Sequence, residues 1–134
     1  MAHELPVRFV VSDDMSVAMF AGLWYKADDP YAVRAAFYPV DRSGRVEWFF
    51  SREMLAQALS EHTGQGDVRM WPAGGSGRDT LYIALRSPRG SALLELPAEG
   101  VESFLRETMS LVPMGAESSR VDLDGELAQL LAGS

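Results

Sequence analysis

Four aspartates stand in adjacent pairs, Asp13 with Asp14 and Asp28 with Asp29. Paired carboxylates can do acid–base work where a water-poor cleft pushes their pKa values apart. Both pairs fall in short polar stretches between apolar runs, "SDDMS" and "KADDPY", where aspartate bonds its own backbone and makes turns. Turn chemistry is therefore the expectation for all four. The two histidines, His3 and His62, stand in no His-x-x-x-His or Glu-x-x-His spacing, and the chain has no cysteine. Zinc asks for three or four such donors, so no metal is expected. The lack of cysteine also removes thiolate catalysis and disulfides. "GGSGR" at 74–78 imitates a serine nucleophile elbow without completing Gly-x-Ser-x-Gly.

Two glycines in "TGQGDVRMWP", residues 63–72, invite a nucleotide-binding reading. A dinucleotide fingerprint runs strand, Gly-x-Gly-x-x-Gly, helix. Here a helical pattern precedes the glycines, a strand pattern follows, and the third glycine is missing. No helix N-terminus is left to hold a phosphate. The stretch reads instead as a helix stop, with Gly64 as a left-handed C-cap, and then a strand start. No catalytic residue and no cofactor is expected from any of these groups. The chain is read as a non-enzyme.

Seven stretches carry strand patterns: "PVRFVV", "SVAMFAGLWYK", "AVRAAFYPV", "RVEWFF", "DVRMWPA", "RDTLYIALRS" and "SALLELP". "SVAMFAGLWY" is apolar on both faces, which predicts cover on both sides. Ser51 is placed to cap a helix whose apolar face is Met54, Leu55, Ala58 and Leu59. A second helix follows the seventh strand, with Val101, Phe104, Leu105, Thr108 and Val112 on one face and a Glu102–Arg106 pair on the other. A short terminal helix is expected around Leu123, Leu127, Leu130 and Leu131, with Asp122 and Asp124 at its anion-favouring start. Short turns between strands predict antiparallel pairing. The fold class is α+β: about seven strands in two sets, each set followed by a helix, all in a single domain over 1–134.

Net charge is −7, and residues 99–126 hold seven acids against Arg106 and Arg120. Such a surface repels nucleic-acid phosphates and anionic lipid headgroups. The aromatics Trp24, Tyr38, Trp48, Phe50, Trp71 and Tyr82 lie on strand patterns, as base stacking requires, but few cations accompany them. Core packing explains them better. No apolar run reaches the ~20 residues that cross a bilayer, and "MAHELPVRFV" is no signal peptide, so a cytoplasmic protein without membrane insertion is expected. The terminal helix is too short to persist alone and must dock on its own domain, a neighbouring subunit or a partner. Asp122, Asp124, Glu126, Leu127, Leu130 and Leu131 are the candidate partner-binding residues.

Several ordered pieces carry a resemblance. "DPYAV" at 29–33, "EWFFSREMLAQAL" at 47–59, "GQGDVRMWP" at 64–72, "SPRGSALLELP" at 87–97, and "FLRET" with "VPMGAE" through Glu117 are similar to the SsgA-like proteins. These are actinobacterial regulators of sporulation and cell division, and "DLDGELAQLL" looks most like the SsgB branch. The resemblance implies a protein at future septum sites that recruits the tubulin-like GTPase FtsZ and favours its polymerisation. It further implies positioning by another SsgA-like protein. The implied fold is a homotrimer of antiparallel sheets with helices, similar to the Whirly single-stranded-DNA-binding proteins. A single-stranded nucleic-acid binder of that fold is the alternative function.

Overall fold

A computed structural model of the chain describes residues 1–73 and 79–118. Strand alternation produces β1 (Ala2–Ser12), β2 (Met15–Lys26), β3 (Asp29–Pro39) and β4 (Val46–Ser51), and then α1 (Arg52–Gln57). A second series follows with β5 (Thr63–Gln65), β6 (Val68–Pro72), β7 (Thr80–Ser87), β8 (Gly90–Pro97) and α2 (Ala98–Leu111). The expected terminal helix and the "GGSGR" loop lie outside the described residues.

The strands form one sheet in the order β4-β3-β2-β1-β8-β7-β6-β5. Each half is an antiparallel meander. The halves join where Arg8, Phe9 and Val10 pair antiparallel with Glu95, Leu94 and Leu93. The antiparallel α+β class stands. Its detail is corrected, because the described residues hold eight strands in one continuous sheet rather than about seven in two sets.

The extra strand arises in "TGQGDVRMWP". Helix α1 is only 6 residues long and is closed at Ala58, which leaves chain to extend before β6. Gly64 pairs with Arg69 inside β5, so it is not the C-cap expected of it. The left-handed residue is Gly66, φ 61, the first of two turn residues between Gln65 and Val68. That is where a type II′ hairpin wants glycine. The first strand also starts earlier than its periodicity suggested. His3, ahead of the alternating run, pairs in register with Leu23. Pro30 is tolerated in β3 because it lies beside the bulge at Trp24/Lys26 and before the first β3–β4 pair, Ala32 with Ser51.

One sheet face is apolar. Leu5, Val7, Ala21, Leu23, Val33, Ala35, Phe37, Ile83, Leu94 and Leu96 on it are all buried. Both helices sit there. Ser51 caps α1 by accepting from the Met54 amide, as expected. Met54, Leu55 and Ala58 of the predicted face are buried and Leu59 packs against the same cluster. On α2 the face Val101, Phe104, Leu105 and Thr108 is buried, each of the three apolar side chains contributing about 1.5–3 kcal/mol. Helix α2 lies tight on β1: a Cβ at Gly100 would come within 2.7 Å of Leu5. His3 secures the same contact, edge-on to Phe104 and 2.9 Å from the Glu107 carboxylate. The predicted Glu102–Arg106 pair forms at 3.0 Å on the outer side.

Candidate interaction surface

The opposite sheet face carries no helix among the described residues, and its chemistry is organised in three clusters. Strands β1 and β3 bring Glu4 and Tyr38 together, and Arg42, just past β3, reaches the same carboxylate at 3.3 Å. The Tyr38 hydroxyl donates to Glu4. These two donors, Tyr38 first and Arg42 second, hold the Glu4 carboxyl below the usual range. Burial and the same bond push the Tyr38 phenol up. Arg42 also lies 5.1 Å over the Tyr38 ring and 5.6 Å over Phe20. In the second cluster Trp24 lies across Gly22, the Arg34 guanidinium stacks on Trp24 at 4.5 Å, and Glu47 pairs with Arg34 at 3.2 Å. In the third, His62, Trp71 and Tyr82 stack in series, with 5.7 Å between successive ring centroids.

The cover expected over both faces of β2, from a helix, a second sheet or another subunit, is seen on one face among the described residues. Strand β2 has no second layer over its other face within the described residues. Phe20 and Trp24 are half-buried, with Arg42 of the β3–β4 turn over the first and Arg34 of β3 over the second, while Met15 and Val17 near the β1–β2 turn are exposed. The aromatics expected in the core divide between the faces: Phe50 is buried on the apolar face and Tyr38 on the polar one, and Trp71 and Tyr82 form a half-buried stack on the polar side.

Three of the paired aspartates sit in the turns expected of them: Asp13 and Asp14 join β1 to β2 and Asp28 precedes β3, all exposed. Asp29 is instead the first residue of β3, paired with Lys26. Among the described residues no three His, Cys, Asp or Glu converge as metal donors. His62 lies beyond α1 and stacks on Trp71. The six candidate partner-binding residues, Asp122, Asp124, Glu126, Leu127, Leu130 and Leu131, lie outside the described residues.

Arg52 was missed. It opens α1 yet is only 1% exposed. Its Nη1 donates to the Val112 carbonyl at 2.7 Å and the Thr108 carbonyl at 3.3 Å, and its Nη2 meets Glu117 at 2.6 Å. The guanidinium stands 5.0 Å over the Tyr25 ring, whose hydroxyl donates to the Pro30 carbonyl. It therefore satisfies the last carbonyls of α2, where a cation suits the dipole. One signal was present: an arginine in the first turn of α1 opposes that helix's own dipole, so it must serve something else.

On the helix-bearing face, the end away from both helices is open. A groove of about 380 Å³ lies there, floored by Phe9, Met19, Phe37, Trp48 and Leu94 and edged by Val46 and Arg89. Val46 and Phe49 of the edge strand β4 are 58% and 65% exposed. Apolar exposure on an edge strand suits contact with another protein.

Comparison with known proteins places this arrangement. Residues 19–117 match the family model described as "Streptomyces sporulation and cell division protein, SsgA". The chain is 49% identical to the sporulation-specific cell division protein SsgB of Streptomyces coelicolor, covering 98% of this chain and 95% of that one. It is 41% identical to SsgB of Thermobifida fusca, covering 96% and 93%. A solved structure of an SsgA-like sporulation-specific cell division protein from Thermobifida fusca superposes with a TM-score of 0.87 at 41% identity, covering 96% of this chain and 93% of that one. Another, solved in connection with SsgB mutations that correlate to longitudinal cell division during sporulation of Streptomyces coelicolor, superposes at 0.83 with 47% identity over 89% and 93%. With likeness along nearly its whole length in both sequence and fold, the chain belongs to the SsgA-like family of sporulation and cell-division proteins.

Proposed function

We propose that this protein is a septation scaffold of sporulating cells: it sits in the cytoplasm at future septum sites, recruits FtsZ and promotes its polymerisation. The observation that carries the reading is 49% identity over 98% of the chain to a sporulation-specific cell division protein SsgB. The structure supports action by surface. Its titratable clusters are ion pairs and stacked rings on a sheet face, and its apolar groove and β4 edge are open. Self-assembly as a homotrimer, with a second SsgA-like protein as positioning partner, completes the proposal. The twofold succession of four strands and a helix supports the Whirly-like architecture. Of the six expected partner-binding residues, Asp122, Asp124 and Glu126 are proposed as contacts to the partner.

The mechanism is multivalency. Several weak contacts on one assembly raise the effective concentration of the polymer's subunits and link neighbouring filaments, without bond-making. FtsZ with GTP should pellet more fully in the presence of the protein, and reversing the three acids to lysine should abolish the gain while the fold persists.

A second reading, single-stranded nucleic-acid binding, is favoured by one feature: the His62–Trp71–Tyr82 stack on the helix-free sheet face. A charge of −7 opposes it. A gel-shift titration at low salt separates the two, because tight binding that weakens steeply with salt would favour the nucleic-acid reading.

A further inference from the structure

On the helix-free sheet face an arginine twice bridges an aromatic ring to a carboxylate. Arg34 lies 4.5 Å over Trp24 and 3.2 Å from Glu47. Arg42 lies 5.1 Å over Tyr38 and 3.3 Å from Glu4. A third ring and carboxylate, Tyr82 and Glu95, stand opposite one another on β7 and β8. Burial first, and the Glu95 charge second, push the Tyr82 phenol up. Among the described residues no arginine lies over this ring. Arg8, opposite Glu95 on β1, turns toward β2, where its Nε donates to the Ser16 hydroxyl at 2.6 Å.

We infer that Tyr82 and Glu95 are the seat of an arginine side chain presented by an extended segment of a partner protein. A cleft of about 420 Å³ opens at this pair, lined by Trp71 and Tyr82 together with the carboxylates of Glu95, Asp13 and Asp14. No cation is among the described residues that line it, so its complement is a positive group. Tyr82 supplies the ring face. Trp71 has His62 on one side and Tyr82 on the other, whereas Tyr82 ends the stack among the described residues. A planar guanidinium can stack on such a ring while its edge donates to the carboxylate beside it, as Arg34 and Arg42 already do on this face. The three carboxylates repel phosphate, which sets the stack against nucleic acid. A protein segment fits better than a small cation because the cleft is longer than one guanidinium. Val10, Met15 and Leu93 give apolar wall to the residues on either side of the arginine. The inference does not need the FtsZ reading, and the failure of either leaves the other standing.

The test is a heteronuclear NMR titration of the full chain with the peptide acetyl-Leu-Arg-Leu-amide. Saturable shifts are expected at the Trp71 indole N–H and at the Tyr82 and Glu95 amides. The same peptide with citrulline in place of arginine keeps the shape without the charge and should bind about tenfold more weakly. The arginine peptide should lose a similar factor on Glu95→Gln, whose spectrum away from the cleft should match the parent and so report an intact fold. Acetyl-arginine-amide alone should bind several-fold more weakly than the tripeptide. Absence of saturable shifts, or equal binding of the citrulline peptide, would overturn the inference. Equal binding of acetyl-arginine-amide would assign the cleft to a small cation. Oligothymidylate shifting the same resonances at physiological salt would assign it to nucleic acid. Either of these results also overturns the inference.

Discussion

At the scale of single residues, Arg52 ties the two halves together, since it starts α1 and closes α2. Arg52→Ala leaves the Thr108 and Val112 carbonyls and the Glu117 carboxylate without their donor, and should cost about 3–5 kcal/mol in denaturant unfolding. Glu117→Gln keeps the shape but loses the charge, and should cost about 1–3 kcal/mol. The pair also sets an acid limb. The hydrogen bond from Arg52 holds the Glu117 carboxyl below its ordinary 4.5. A depressed folded-state pKa adds stability that is complete above 4.5 and is lost as pH falls through the lower folded value. Unfolding measured from pH 6 to pH 2.5 should fall less steeply for Glu117→Gln than for the parent. Glycine is legible at this scale only in part. "GQGD" advertises a turn, but which glycine is left-handed depends on where the preceding helix stops. Gly66→Ala should destabilise by about 1–2 kcal/mol, because φ 61 is strained for a side chain. The same change at Gly64 would meet Arg69 and a backbone oxygen instead.

At the scale of elements, long periodic runs were readable and short ones were not. Two-residue alternation located β1–β4 and β6–β8, and the stripe Val101, Phe104, Leu105, Thr108 marked α2, because burial on one face writes itself into the sequence. Strand β5 has 3 residues, Thr63, Gly64 and Gln65, with no apolar alternation, so its pairing is dictated by β6 across the Gly66 turn. Arg52 was hidden for a different reason: its partners Thr108, Val112 and Glu117 are more than fifty residues away, and no local pattern records such a meeting. The helix–sheet seam should be the most costly place to cut. Phe104→Ala, at a fully buried position, should lose about 3–5 kcal/mol. Gly22→Ala tests the other face: a Cβ there would run into the Trp24 indole, so the ring should leave its stack with Arg34 and its emission should move to longer wavelength.

At the scale of the molecule, joining β1 to β8 turns two meanders into one sheet with a helix-bearing face and a polar, aromatic-studded face. That join was not legible, since Arg8–Val10 and Leu93–Glu95 are separated by most of the chain and either strand could have been an edge. Charge was legible, and at −7 it predicts that single-stranded DNA is bound weakly if at all at physiological salt. Family membership followed from ordered motifs, and the fold they implied agrees with the solved relatives in its antiparallel α+β class. The central claim is that this surface gathers a division polymer. The most direct measurement is sedimentation of purified FtsZ with GTP, with and without the full-length protein, at constant ionic strength. The account predicts more pelleted FtsZ, with the protein itself in the pellet. An unchanged FtsZ pellet with the protein left in the supernatant would contradict it.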